Sequence, residues 1–323
     1  MNVKVLRILS VACLLLVTAN AVQFEIRNAG EPIWVGIQGN PGHGALRNGG
    51  FSLIGGESFI RSVSFQTTIN APDNWAGRFW SRTFCDPNSQ HCATGDCGNR
   101  LECNGAGGNP PVTLVEITLK GASGLDFYDI SLVDGFNNKA IITPVNGQGD
   151  GGQYSCKTAR CSSDINSKCP GELQVKRGNQ VVACNSACNA FHTDQYCCTG
   201  PHNQPQTCRS SDWPQNYPAF FKKECPDAYS YAYDDHKSTF TCKAGKYIIT
   251  FGQWLAEDFS GSISAVPDYV KDVNIPETKI ELTLAPVVGP YAVSLLEGFN
   301  YKLKIIPIGG RKCKVAECPA DIN

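Results

Sequence analysis

The sequence predicts a mainly β fold of antiparallel strands in a sandwich or barrel, and three observations carry that reading. Short alternating runs recur between Gln23 and Asn146: "VQFEIRN", "PIWVGIQG", "ESFIRSVSF", "GRFWSRTF", "TLVEITL", "FYDISLV" and "KAIITPV". Gly, Pro and Asn break them at short intervals, and helical periodicity is scarce. Runs that alternate with period two between turn residues suit strands of a half-buried sheet.

The chain opens with "MNVKVLRILSVACLLLVTANA", in which Lys4 and Arg7 precede an apolar run from Ile8 to Thr18 and the small residues Ala19 and Ala21 follow it. This is the pattern of a secretory signal over residues 1–21, removed to leave a chain beginning near Val22. The run is too short to span a bilayer and no other stretch is long enough, so a secreted, extracellular protein without integral membrane association is expected. Of the 17 cysteines Cys13 leaves with the signal, and 17 − 1 = 16 remain. An even number in a secreted chain points to disulfides. Irregular spacings, scattered histidines and an oxidising compartment set zinc aside, so neither a metal nor a cofactor is expected. Without Lys4 and Arg7 the balance is 28 − 2 = 26 basic against 29 acidic residues, a net of −3. That charge offers no basic surface for nucleic acid or anionic membrane. A monomer is expected, and no N-x-Ser/Thr sequon is present.

Residues 147–225 change character, because Cys156, Cys161, Cys169, Cys184, Cys188, Cys197, Cys198 and Cys208 crowd together before Cys225 closes the stretch. A loop-rich, disulfide-held segment is expected there. Its best helix candidate is "NSACNAFHTDQYCC", with Cys184, Cys188 and Phe191 at i, i+4 and i+7. Strand-like text then returns in "YSYAYDDHKSTFTC" and "KYIITFG".

An internal repeat is the least usual feature. "YDISLVDGFN", from Tyr128 to Asn137, is answered by "YAVSLLEGFN", from Tyr291 to Asn300. Glu116-Ile-Thr-Leu matches Glu281-Leu-Thr-Leu, "IITPV" matches "KIIPI", and "CKTARCSSDIN" from Cys156 matches "CKVAECPADIN" from Cys313. So many matches in one order mark the tail as a partial second copy.

The motifs "FEIRN", "GRFWSRTFC", "CATGDCG", "PPVTLVEITL", "FYDISLVDGFN", "CSSDINSKCP", "DQYCC", "FFKKECPDAYSYAYDD" and "STFTC", in this order, resemble those of thaumatin-like, pathogenesis-related proteins. The resemblance spans roughly residues 22–252, and "WVGIQGNPGH" and "SSDWPQNYP" resemble arthropod members more than plant ones. It implies an antiparallel β-sandwich (22–82, 105–155 and 226–252), a small subdomain (83–104) and a disulfide-rich loop subdomain with a short helix (156–225). After these would come a linker (253–274) and the partial repeat (275–323). It also implies the pairs Cys85–Cys92, Cys97–Cys103, Cys156–Cys242, Cys161–Cys225, Cys169–Cys184, Cys188–Cys197 and Cys198–Cys208. Cys313 and Cys318 would pair with each other or with another chain. One family bridge is missing at both ends, where Gly30 and Gly252 stand. By the chain-entropy argument such a closure is worth roughly 5 kcal/mol.

Members of this family with antifungal or glucan activity carry one Arg and four acids in a cleft. Matched motif by motif these fall on Arg78, Glu116, Asp129, Asp134 and Asp234, with Asp235 a neighbour able to compete for the last role. Gathered carboxylates repel, so at least one should hold a proton near neutrality while Arg78 stabilises its ionised partners. Hydrolysis of a glycoside would need one protonated and one ionised carboxyl, here Glu116 as acid and Asp134 as base or nucleophile. Parity raises a difficulty, because residues five apart on a regular strand point to opposite faces. Either a turn at Asp134-Gly135 redirects the second acid or Asp134 is a structural turn residue. Phe79, Trp80, Phe127, Tyr128 and Phe136, beside the acids in sequence, read mostly as core.

The expected function is a secreted defence protein that binds fungal β-1,3-glucan in an acidic cleft, with antifungal activity. The alternatives are weak endo-β-1,3-glucanase action and protein-directed inhibition of proteases or amylases. In the tail Asp134 matches Glu297 and Asp129 matches Ala292, so a second cleft would be incomplete.

Overall fold

The computed structural model describes residues 21–53, 66–252, 260–264, 279–283, 291–294, 304–305 and 316–317. The expected signal up to residue 20, the run "ESFIRSVSF", Glu297, Cys313 and Cys318 lie outside the described residues. The chain divides into two compact units, Met1–Gly252 and Gln253–Asn323.

In chain order the first unit's strands are β1 Ala21–Asn28, β2 Ile33–Gly39, β3 Gly50–Leu53, β4 Gln66–Pro72, β5 Ala76–Asp86, β6 His91–Thr94 and β7 Leu114–Thr118. They continue as β8 Asp126–Ser131, β9 Ala140–Pro144, β10 Ala159–Cys161, β11 Gln174–Arg177, β12 Gln180–Cys184, β13 Phe240–Cys242 and β14 Lys246–Phe251. One sheet has the order β10-β9-β14-β1-β4, and the other β13-β8-β7-β5-β2-β3 with β6 paired to β5. Alternation decides what each strand buries. The first sheet contributes Phe24, Ile26, Ile142, Tyr247 and Ile249 to the core, and the second contributes Val35, Ile37, Phe79, Val115, Ile117 and Ile130. Phe24 meets Phe79 with ring centroids 5.0 Å apart, and Tyr247 meets Tyr128 at 5.6 Å. Burying each such side chain contributes about 1.5–3 kcal/mol. The fold is therefore a mainly β sandwich.

The first and last strands of the unit are neighbours, and they run parallel, with Gln23 opposite Lys246 and Asn28 opposite Phe251. The Ala29 N–H donates to Phe251 C=O at 2.8 Å, which brings Gly30 and Gly252 together. A Cβ on Gly252 would stand 2.8 Å from the Gly30 nitrogen, and Gly252 has φ +91°. The positions of the missing bridge are thus packed backbone to backbone.

Seven disulfides form, Cys85–Cys92, Cys97–Cys103, Cys156–Cys242, Cys161–Cys225, Cys169–Cys184, Cys188–Cys197 and Cys198–Cys208, the pairs the resemblance implies. The small segment after β5 is also held by Arg82, whose buried guanidinium donates to Arg100 C=O at 2.7 Å, Leu101 C=O at 2.6 Å and Val35 C=O at 2.8 Å. Burial lowers its pKa to about 10, with the Asp96 charge opposing.

Three expectations need correction. The single helix candidate is two short helices, α2 Ala187–Phe191 and α3 Asp194–Cys197, after α1 Ile165–Lys168. His192 lies in the left-handed region at φ 52° and separates them, while Ser186 and Thr193 each cap an N-terminus. The longest helix among the described residues, α4 Tyr217–Glu224, starts from an Asn216 cap with Pro218 in its first turn. Of "YSYAYDDHKSTFTC" only the last three residues are strand, because its acids and hydroxyls fold into turns. Within the expected linker 253–274, Ser260–Ser264 is a strand paired with Lys279–Thr283, a segment too poor in apolar residues to reveal itself by alternation.

Candidate functional site

Four adjacent strands set one polar row across the second sheet. Gln38 of β2 stands opposite Arg78 of β5, Arg78 opposite Glu116 of β7, and Glu116 opposite Asp129 of β8. Directly opposed residues share a face. Here that face is the one turned from the core, since the alternate residues Phe79, Val115, Ile117, Tyr128 and Ile130 are buried. Arg78 Nε lies 3.6 Å from Glu116 Oε1, and both side chains keep about a third of their surface, 34% and 33%. Arg78 also donates to Asn40 Oδ1 at 3.4 Å. Asp129 Oδ1 is buried without a hydrogen-bond partner.

Asp134 reaches this group through a turn. Strand β8 stops at Ser131, and the Gly135 N–H donates to Leu132 C=O at 2.9 Å while the Val112 N–H donates to Asp134 C=O at 2.9 Å. Glycine is required at 135, where φ is +88° and a Cβ would stand 2.6 Å from Cys184 O and 2.7 Å from Pro111 Cβ. The strand parity that would separate Asp129 from Asp134 ends before the second acid. Its charge acts on Glu116, and the Arg78 charge acts on it.

Asp234 does not join the row. Its Oδ2 accepts from the Ser230 N–H at 3.0 Å and the Ser230 hydroxyl at 2.7 Å and pairs with Lys222 Nζ at 3.0 Å, so this carboxylate fastens a loop to α4. Asp235 faces the other way. It accepts from the Tyr229 hydroxyl at 2.9 Å, the same hydroxyl contacts Thr239, and the Asp235 charge acts on Asp129. Thr239 directly precedes Phe240, which pairs with Tyr128, so this group extends the row beyond Asp129.

Burial raises the pKa of Glu116, with Arg78 opposing and the Asp134 charge adding. Burial raises Asp129 well above the usual range, the charge of Glu116 raises it further, and Arg78 again opposes. Burial raises Asp134 against the pull of Arg78. One guanidinium thus stands among three carboxyls whose ionisation burial disfavours and the guanidinium favours.

The nearby aromatic surface comes from distant sequence. Tyr196, Trp213, Tyr217, Phe221 and Tyr231 line, with Asp134, a cavity of about 60 Å³. Trp213 meets Tyr196 edge to face at 5.1 Å and Tyr231 at 5.6 Å. Trp213, Tyr217 and Phe221 are buried, as are Phe79, Trp80, Tyr128 and Phe136, while Tyr196, Tyr231 and Phe127 are half-buried. The aromatics of "QYCC", "SSDWPQNYP" and "YSYAYDD" were the available signal, but nothing in their spacing ties them to Asp134, 62 to 97 residues earlier (196 − 134 and 231 − 134).

Residues 27–253 match the model of the Thaumatin family. The chain belongs to the thaumatin family. This thaumatin-like chain is 49% identical over 235 residues to pathogenesis-related protein 5 of Arabidopsis thaliana, covering 72% of this chain and 90% of that one. It is 47% identical over 237 residues to pathogenesis-related thaumatin-like protein 3.5 of Cryptomeria japonica, with the same shares, 72% and 90%. To a Prunus avium protein named glucan endo-1,3-beta-glucosidase it is 45% identical over 239 residues, again 72% of this chain and 90% of the other.

Proposed function

We propose that the first unit binds a β-1,3-glucan of the fungal cell-wall type along the polar row, as a secreted defence protein with antifungal activity that works as a monomer. The observation that carries this is the convergence of Arg78, Glu116, Asp129 and Asp134 on one open face, with Asp235 in the place expected of Asp234. A neutral polyol needs hydrogen-bond donors and acceptors side by side, and a guanidinium among carboxyls supplies both. The half-buried rings of Tyr196 and Tyr231 beside Asp134 add apolar surface of the kind that sugar faces require. The glucan-directed name of the Prunus avium relative supports the same ligand class. Seven disulfides fit an oxidising, extracellular setting. No helix among the described residues is long and apolar enough to cross a membrane. The test is co-sedimentation of the oxidised chain with insoluble linear β-1,3-glucan, with cellulose and chitin as controls. Selective pelleting that weakens in Glu116→Gln is expected, and absence of pelleting overturns the reading.

Hydrolysis is the second reading, favoured by the raised pKa of Glu116, which suits a proton donor, and by the Arg78 charge, which favours ionised Asp134 against its burial. A protonated Glu116 would donate to the departing glycosidic oxygen, and ionised Asp134 would activate water or attack the anomeric carbon. Release of reducing ends by the wild type, abolished in Glu116→Gln even at glucan concentrations that saturate the variant, separates cutting from holding.

A further inference from the structure

The second unit repeats the site's strand register. It contains a three-stranded antiparallel sheet, β15 Ser260–Ser264, β16 Lys279–Thr283 and β17 Tyr291–Ser294, in that order. Glu281 stands opposite Ala292 and Leu282 opposite Tyr291, as Glu116 stands opposite Asp129 and Ile117 opposite Tyr128. On the other edge of β16, Ser262 stands opposite Glu281 and Gly261 opposite Leu282, as Arg78 stands opposite Glu116 and Gly77 opposite Ile117. Strand β15 is therefore the counterpart of β5, and "DFSGSIS" aligns with "NWAGRFW" around a shared glycine. A slip of one residue would move every one of these positions to the opposite face, so agreement across three strands is specific.

We propose that the second unit is a copy of the site's own sheet in which the ligand row has been dismantled. Ser262, Glu281 and Ala292 occupy the positions of Arg78, Glu116 and Asp129. The central acid is kept while the guanidinium on one side and the second carboxyl on the other are gone. One ionisable residue occupies the row where the first unit sets three, and no cation stands beside its acid. Each chain therefore takes up one glucan, in the first unit alone. This rests on the glucan reading of that unit.

The test is calorimetric titration of the full-length chain with a soluble linear β-1,3-gluco-oligosaccharide. One ligand per chain is expected, with affinity unchanged within about twofold in Glu281→Gln and lowered at least tenfold in Glu116→Gln. Two ligands per chain, or a loss of affinity in Glu281→Gln, overturns the inference. Absence of uptake by the wild type overturns the glucan reading itself, a result distinct from either.

Discussion

Asp129 stands directly opposite Glu116 on the neighbouring strand, and its buried Oδ1 has no hydrogen-bond partner. Burial and the facing carboxylate raise its pKa in the folded state. The folded chain then holds more protons than the unfolded one, so this contribution to stability is complete below the ordinary carboxylate range and is lost as pH rises through the raised value. Asp129→Asn removes the loss. At pH 7 the variant is expected to gain about 1–3 kcal/mol, the scale of an unsatisfied buried polar group. Near pH 4, where the wild-type carboxyl is already protonated, the gain should vanish. Thermal melts at the two pH values check this, and an equal shift at both would count against a protonated Asp129.

Asp234 and Asp235, adjacent in sequence, are expected to separate cleanly by substitution. Asp234→Asn weakens a half-buried ion pair with Lys222 and should cost about 1.5–3 kcal/mol with little effect on glucan pelleting. Asp235 is exposed, so Asp235→Asn should leave the melting temperature within about 1–2 °C and weaken pelleting. The opposite pattern would return the fifth site position to Asp234.

Gly135→Ala puts a methyl group against Cys184 O at φ +88°. The backbone strain alone costs about 1–2 kcal/mol, and relief of the clash must move the turn that carries Asp134. Lower stability together with weaker glucan binding is expected, read by denaturant titration and co-sedimentation on one preparation.

Arg82→Met removes the donor shared by Val35, Arg100 and Leu101 carbonyls. Leaving the buried Val35 carbonyl unpaired and releasing the part-buried Arg100 and Leu101 carbonyls should cost about 1–3 kcal/mol. The guanidine midpoint should fall, and limited proteolysis should cut first between residues 83 and 104.

The sandwich was legible because alternation, turn residues and cysteine-bearing motifs are local and abundant, as in "FYDISLV" or "GRFWSRTF". Strand β4, "QTTINAP", escaped because it is an edge strand whose text is mostly polar. The acids were legible as a set, but their geometry was not. Whether Asp134 turns toward Glu116 depends on Pro111 and Cys184 packing beneath Gly135, contacts that no run of sequence displays. Asp234 and Asp235 are the same residue type side by side, and only Lys222 and Ser230 on one side and Tyr229 on the other tell them apart. The helix broken at His192 shows the same limit, since spacing reports a face but not a left-handed residue that interrupts it.

Strand β14 occupies the middle of its five-stranded sheet, between β9 and β1, although it is the last strand of its unit to leave the ribosome. Until it emerges, two hydrogen-bonding edges of that sheet stay open, and open edges invite pairing with other chains. Folding from the N-terminus onward cannot finish this layer early. Closure must wait for residues more than two hundred positions after β1, the kind of non-local pairing that makes β proteins slow to fold. Cys242 lies just before the late strand and its bond reaches back to Cys156. That oxidation is placed to hold the inserted strand in position during maturation, which makes the order of disulfide formation part of how the molecule reaches its native state.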